Sequence, residues 1–172
     1  MTMIDVYDVV VIGAGIIGTM IARELTRFRL KILILDRAND VSMGATKANS
    51  AIVHGGYGEP SSTLRGKLCY PGRLRFKQLD EELNFGFAET GSLVVTTEDD
   101  IAPLEKLLER GIENGLDDLS IIGSDEIRRL EPMLSHDIEW ALYCQGAGVC
   151  SPYEMAIALA ENAIDNGATL RV

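Results

Sequence analysis

Residues 6–36 decide the fold: VYDVVVIGAGIIGTMIARELTRFRLKILILD. The run Val6–Ile12 is short, β-branched and almost wholly apolar, which predicts a buried strand. The glycine-rich residues 13–18 predict a turn, and helical spacing then continues to about Arg29, with apolar residues on one side. The apolar run Leu30–Leu35 predicts a second strand. Together these segments predict a βαβ unit with parallel strands and a right-handed crossover.

Three glycines form a Gly-x-Gly-x-x-Gly pattern between the first strand and the helix. Gly13 permits the tight turn, Gly15 lets the backbone approach a pyrophosphate, and Gly18 lets the helix pack against the strands. The start of the helix, which includes Ile16 and Ile17, offers unpaired N–H groups and a partial positive charge to phosphates. The pattern therefore predicts a site for the phosphates of a dinucleotide.

An acidic residue follows the second strand at the position that such a site uses for a ribose. Asp36 can accept hydrogen bonds from the ribose diol, and its charge disfavours the 2′-phosphate of NADP. Its neighbour Arg37 is included in the predicted cofactor site.

The stretch that follows contains mostly small polar residues. Residues 37–60 are rich in Gly, Ala, Ser, Thr and Asn, and they predict a loop with a short helix starting near Thr46. Thr46, Asn49 and Ser50 can turn donors toward a second phosphate or a ribityl chain, which favours FAD over NAD. An ordinary loop with a helix cap is the alternative interpretation of these residues.

The rest of the chain alternates between helical and strand patterns. Helices are predicted over 64–83, with a disturbance at Pro71-Gly72, and over 101–114, 125–130 and 152–166; strands are predicted over 87–97, 138–143, 148–150 and 168–172. Ser124 and Ser151 are predicted to cap the two later helices. Because the chain ends where another crossover begins, we expect it to be truncated.

The amino-acid composition and net charge narrow the classes of function that this protein can have. The net charge is −10, which should repel nucleic acid and anionic membranes. The cysteines, Cys69, Cys144 and Cys150, are too few and too scattered for a disulfide framework or a zinc site, and no metal site is predicted. No apolar segment approaches the ~20 residues that a membrane span needs. We expect a cytoplasmic location and no membrane span, with peripheral membrane association of a longer parent left open.

The βαβ start, the stretch ATKANSAIVHGGYG at 45–58 and the later GSLVV at 91–95 resemble the D-amino-acid-oxidase-like superfamily of FAD-dependent oxidoreductases. Within it the chain is most similar to bacterial FAD-dependent glycerol-3-phosphate dehydrogenases, and next to L-2-hydroxyglutarate oxidases. The resemblance implies FAD as cofactor and hydride transfer from sn-glycerol 3-phosphate to FAD. Other implied substrates are 2-hydroxy acids, amino acids and amines, and the electron acceptor stays open.

The resemblance also implies roles for individual residues. It places Gly13, Gly15 and Gly18 at the phosphates, Asp36 at the ribose, and the small polar residues Thr46, Lys47, Asn49 and Ser50 at the flavin. Residues around His54 approach the isoalloxazine ring in this superfamily. His54 can accept a substrate hydroxyl proton as a catalytic base, attach the flavin covalently, or serve only as a structural hydrogen-bonding group.

The predicted fold class is α/β, with a Rossmann-like FAD-binding βαβ unit interrupted by an α+β insertion. Residues 1–60 and 151–172 are predicted to form the incomplete FAD-binding domain, and 61–150 the start of a substrate or cap domain. We expect the full-length parent to be the enzyme and this chain alone to be inactive. A non-catalytic nucleotide-binding fragment or subunit is the alternative from another class, and an NAD-dependent dehydrogenase is a third.

Overall fold

The structure, a computed structural model, describes residues 5–96 and 101–172. The strands are β1 (Val9–Ile12), β2 (Ile32–Leu35), β3 (Ile52–Val53), β4 (Ser92–Thr96), β5 (Leu119–Gly123), β6 (Trp140–Cys144), β7 (Gly148–Val149) and β8 (Thr169–Arg171). The helices are α1 (Ile16–Leu25), α2 (Leu64–Arg73), α3 (Phe76–Leu83), α4 (Ala102–Glu113), α5 (Ser124–Leu130) and α6 (Pro152–Asp165), and Ala45–Lys47 forms one 3₁₀ turn.

The chain divides into two compact units. The first comprises Met1–Ala51, Gln78–Phe87 and Cys150–Val172, and the second comprises Ile52–Lys77 and Ala88–Val149. We call them the glycine-turn unit and the insertion unit.

The glycine-turn unit is built on a three-stranded parallel sheet in the order β1-β2-β8. The central strand β2 buries Ile32 and Ile34, because helices and neighbouring strands cover it. Helices α1 and α6 pack together in the same unit, where Ala22 and Ala163 are fully buried. Small side chains at this contact let the two helices approach closely. The predicted α/β class and the predicted βαβ unit are confirmed.

The insertion unit contains an antiparallel sheet in the order β4-β6-β5 and a two-stranded antiparallel pair of β3 and β7. Pairing of Val94 and Ile121 with Leu142 sets the register of the larger sheet. Ile127 of α5 is fully buried among residues of this sheet. This unit mixes helices with antiparallel strands, and its bounds differ from the predicted 61–150: residues 52–60 belong to it, whereas Gln78–Phe87 belongs to the glycine-turn unit.

Several element boundaries differ from those the sequence predicted. Helix α1 ends at Leu25 and not near Arg29, because the chain turns there: the Thr26 N–H donates to the carbonyls of Ala22 and Arg23. The helix predicted over 64–83 is two helices, and the break follows Arg73 rather than Pro71-Gly72. The strand predicted over 87–97 begins only at Ser92, and its predicted last residue lies outside the described residues.

Two strands of the insertion unit were missed, and one predicted cap was wrong. Strand β3 lies in the predicted loop 37–60, and its pairing with β7 forms it. Strand β5 lies in a stretch for which the sequence predicted no element, and its pairing with β6 forms it. The strand continues through Gly123, so Gly123 is the residue that precedes α5 and Ser124 is the first helical residue. The other predicted cap is confirmed, since the Ser151 hydroxyl accepts a hydrogen bond from the Glu154 N–H at 3.3 Å.

The central strand β2 provides a test of this core. Ile34 is completely buried, so Ile34→Ala should leave a cavity and lower the free energy of unfolding by about 2–5 kcal/mol. The control is Ile12→Ala on β1, because Ile12 is 85% exposed and its loss should cost about 0.5 kcal/mol. Urea unfolding followed by circular dichroism measures both, and equal losses would contradict the described core.

Candidate dinucleotide-binding site

The glycine turn is closed by backbone geometry that needs glycine at two places. Gly13 has a φ of +107°, which side chains disfavour, and its N–H donates to the carbonyl of Leu35 at 2.8 Å. A Cβ on Gly18 would collide with the carbonyl oxygen of Gly13. The turn, the start of α1 and the end of β2 are therefore held together closely, as the sequence predicted for a strand–turn–helix.

Thr46 lies at the start of α1. Its Oγ1 accepts a hydrogen bond from the Ile16 N–H at 3.1 Å, and a Cβ on Gly15 would lie 3.0 Å from the same oxygen. The short 3₁₀ turn Ala45–Lys47 carries Thr46 to this position. The missing Cβ of Gly15 thus leaves room for the Thr46 hydroxyl, which accepts from one of the amides at the start of α1.

Asp36 is bound to the glycine turn. Its Oδ2 accepts a hydrogen bond from the Ala14 N–H at 2.7 Å, and its Oδ1 accepts one from the Ala38 N–H at 2.9 Å. These backbone donors, Ala14 first, lower the pKa of the Asp36 carboxyl below its ordinary value. The group is therefore a carboxylate at neutral pH, at the carboxyl end of β2 and beside the helix N-terminus.

A surface cleft of about 550 Å³ opens at this turn, and its lining includes Gly13, Gly15, Thr46 and Asn49. The first turn of α1 contains no acidic side chain, so nothing in that turn neutralises the positive end of the helix dipole. Ile17 lies at the same cleft and is exposed. The cleft is thus lined by the backbone of the glycine turn and by apolar and small polar side chains.

The other predicted residues of the small polar loop are near Thr46 in sequence and are engaged locally. Asn49 donates to the Thr46 carbonyl at 2.6 Å and accepts from the Ala51 N–H at 2.8 Å, so it orders the loop. Lys47 is exposed and its Nζ lies 3.6 Å from the sulfur of Met43. Ser50 and Arg37 are exposed. The flavin-contacting roles of Thr46, Lys47, Asn49 and Ser50 stay predictions, as does the cofactor-binding role of Arg37.

His54 belongs to the insertion unit and directly follows β3. Its side chain is exposed, between the buried residues Val53 and Gly55. Its predicted proximity to the flavin stays a prediction, as does its catalytic role.

Two parts of the site were not found in the sequence. The Ala14 N–H that binds Asp36 leaves no trace in residue type, because any residue carries an amide. The Thr46–Ile16 bond links residues 30 positions apart, and only a chain reversal that sequence spacing does not encode brings them together.

Among the described residues, no helix is long and apolar enough to cross a bilayer. In the same part of the chain, no three residues of the His, Cys, Asp and Glu types are grouped so that they could hold a metal ion.

Residues 8–172 match the FAD dependent oxidoreductase (DAO) family, and the chain belongs to that family. The resemblance seen in the sequence is thereby confirmed, and FAD is the cofactor of the family. A glycerol 3-phosphate dehydrogenase from Caloramator mitchellensis is 44% identical to this chain over 95% of the chain and 34% of the relative. The mitochondrial L-2-hydroxyglutarate dehydrogenase of Pongo abelii is 29% identical over 95% of the chain and 39% of the relative.

Solved structures agree with this assignment. The chain superposes on dithionite-reduced, FAD-bound L-alpha-glycerophosphate oxidase from Mycoplasma pneumoniae with a TM-score of 0.91 and 25% identity, over 98% of this chain and 45% of the other. Glycine oxidase from Bacillus cereus gives a TM-score of 0.81 and 26% identity, over 96% and 46% of the two chains. The chain thus spans less than half the length of each of these four relatives.

The Asp36 contacts predict a pH-dependent stability. A carboxyl whose pKa is lowered by folding stabilises the protein above its ordinary pKa of about 3.9, and this contribution disappears as the pH falls through the lowered value. Asp36→Asn should therefore be less stable than the natural chain at pH 7, and the difference should shrink below pH 4. Urea unfolding of both proteins between pH 7 and pH 3 measures it. A difference that is constant with pH would contradict the described hydrogen bonds.

The space at Gly15 predicts an effect on cofactor affinity. Gly15→Ala should place a methyl group against Thr46 Oγ1 and weaken FAD binding about tenfold or more, which is about 1.4 kcal/mol. Gly72→Ala is the matched control, because Gly72 is helical and a Cβ there meets nothing within 4 Å. Flavin fluorescence quenching on titration measures both affinities, and equal affinities would show that Gly15 does not face the cofactor.

Proposed function

We propose that the protein is an FAD-dependent dehydrogenase that oxidises sn-glycerol 3-phosphate at its secondary alcohol. The observation that carries the proposal is the 44% identity to a glycerol 3-phosphate dehydrogenase across almost the whole chain. The similarity to a glycerophosphate oxidase structure at a TM-score of 0.91 supports the same substrate class. The whole protein's activity belongs to this proposal, because the chain spans 34% of that dehydrogenase.

In this proposal the glycine turn and its surroundings hold the dinucleotide. Backbone amides at the start of α1 bind the diphosphate, and the Asp36 carboxylate binds the ribose beside it. The cofactor-binding set is Gly13, Gly15, Ile16, Ile17, Gly18, Asp36, Arg37, Thr46, Lys47, Asn49, Ser50 and His54. We assign residues 1–60 and 151–172 to the FAD-binding domain and 61–150 to the start of the substrate or cap domain.

The oxidation removes one hydride and one proton from the alcohol and leaves a ketone. When bound, FAD supplies the acceptor for the hydride that leaves the substrate carbon. We assign the hydroxyl proton to the imidazole of His54, which is exposed and makes no hydrogen bond or ion pair with the part of the chain that the structure describes. An imidazole with an unoccupied ring nitrogen can accept that proton directly or through one water.

A second candidate substrate is L-2-hydroxyglutarate. The 29% identity to an L-2-hydroxyglutarate dehydrogenase over 95% of the chain supports it. Both candidates are secondary alcohols near an anionic group, so the same hydride and proton removal applies. They differ in the anion that the enzyme must recognise, a phosphate in one case and carboxylates in the other.

Anaerobic reduction of the flavin tests the substrate. The natural FAD-loaded protein should lose its yellow absorbance when sn-glycerol 3-phosphate is added without oxygen, because the substrate's hydride reduces the flavin. Glycerol is the control that lacks the phosphate. Loss of colour with L-2-hydroxyglutarate or glycine instead would show that the substrate is a 2-hydroxy acid or an amino acid and not sn-glycerol 3-phosphate. Persistent colour with every one of these compounds would favour the non-catalytic nucleotide-binding alternative.

A further inference from the structure

The segment that carries His54 lies outside any strand ladder. We call residues 54–59 the histidine loop; it follows β3 and precedes Pro60. Three of its carbonyl groups, those of Gly56, Gly58 and Glu59, accept hydrogen bonds from side chains. Backbone carbonyls without strand partners need other donors, so these side chains determine the loop's conformation.

All three bonds come from one end of helix α4. The Asn114 side-chain amide donates to the carbonyl of Gly56 at 2.8 Å and to that of Glu59 at 2.9 Å. Arg110, one turn earlier, donates to the carbonyl of Gly58 at 2.7 Å. Residues four apart lie on the same face of a helix, so α4 presents both donors to the loop together.

The Asn114 side chain uses all of its hydrogen-bond donors to bind the histidine loop. A side-chain amide has two N–H groups, and both donate to loop carbonyls. Its Oδ1 is buried and has no hydrogen-bond partner among the described residues, which is an unfavourable position for a polar atom. The side chain is therefore held at this place by its two donated bonds.

Close packing limits movement of the loop on its other sides. A Cβ on Gly55 would lie 2.5 Å from the Cys144 sulfur, and Gly56 has a φ of +118° against Tyr70. The His54 carbonyl lies 3.9 Å from the Cys69 sulfur. The backbone that directly follows His54 is thus closely packed, while its imidazole is exposed.

We propose that Asn114 is a positioning residue that fixes the histidine loop and thereby sets the direction in which the His54 imidazole projects. The link to turnover rests on the proposed function, in which His54 accepts the substrate proton. The two hydrogen bonds that Asn114 donates to the loop do not depend on that function. A displacement of a catalytic group by about 1 Å can lower the rate about 100-fold. Loss of the Asn114 side-chain amide should therefore lower the reaction rate as well as the stability of the fold.

The geometric part is tested on the full chain, which contains two histidines. With isotope-labelled histidine, each imidazole gives its own NMR signals, and His54→Gln identifies those of His54. Asn114→Ala should shift, split or broaden the His54 signals and leave those of His136 unchanged. The matched control is Asn166→Ala, which removes an amide that donates to the Asn162 carbonyl at 2.7 Å in the glycine-turn unit. It should leave both histidines unchanged.

If Asn114→Ala does not fold, Asn114→Ser serves, because a serine hydroxyl has one donor in place of the two N–H groups of the amide. Unchanged His54 signals in a folded Asn114 variant would overturn the proposal.

The functional part is tested by kinetics on the natural FAD-loaded protein. Asn114→Ala should lower kcat about 10- to 100-fold with KM changed less than about threefold, and should add less than about twofold when His54 is already Gln. Full multiplication of the two losses would show that Asn114 does not act through His54, and would overturn the proposal. If His54→Gln leaves kcat unchanged, the assignment of His54 as the base is wrong. Altered His54 signals in the Asn114 variant would still show that Asn114 positions the histidine loop.

Discussion

Two hydrogen bonds between the glycine turn and the end of β2 are the contacts on which the rest of the site depends. The Gly13 N–H binds the Leu35 carbonyl, and the Ala14 N–H binds the Asp36 carboxylate. Both connect the segment that starts α1 to the carboxyl end of β2, which Asp36 follows. Because the two groups are joined at the turn, the helix amides and the carboxylate keep one geometry relative to each other.

That geometry needs small residues around it. Gly18 lets α1 pass over the Gly13 carbonyl, and Gly15 leaves room for the Thr46 hydroxyl. On its other side α1 packs against α6, where Ala22 and Ala163 are fully buried. A dinucleotide site of this kind is therefore formed as much by atoms that are missing from side chains as by groups that bind.

In the insertion unit, side chains hold a loop whose backbone carbonyls have no strand partner. Its histidine loop has no strand partner for three carbonyls, and the end of α4 supplies the donors through Asn114 and Arg110. A helix end is a rigid support, since α4 buries Leu104 and Gly111. A loop held in this way can present an exposed imidazole without the movement that exposure usually brings.

The sequence by itself determined the βαβ unit, the glycine turn and the position of Asp36, because these depend on periodicity and residue type within residues 6–36. The resemblance of this unit and of residues 45–58 and 91–95 to a known superfamily indicated the FAD-dependent family. The sequence missed β5, which is a strand only through its pairing with β6, and it placed the α5 cap one residue late for the same reason. Only the tertiary structure decided that Ala14 binds Asp36, that Thr46 caps Ile16 and that Asn114 binds the histidine loop. These contacts join residues 22 to 58 positions apart, and the packing of whole elements, rather than any local pattern, brings their atoms within hydrogen-bond distance.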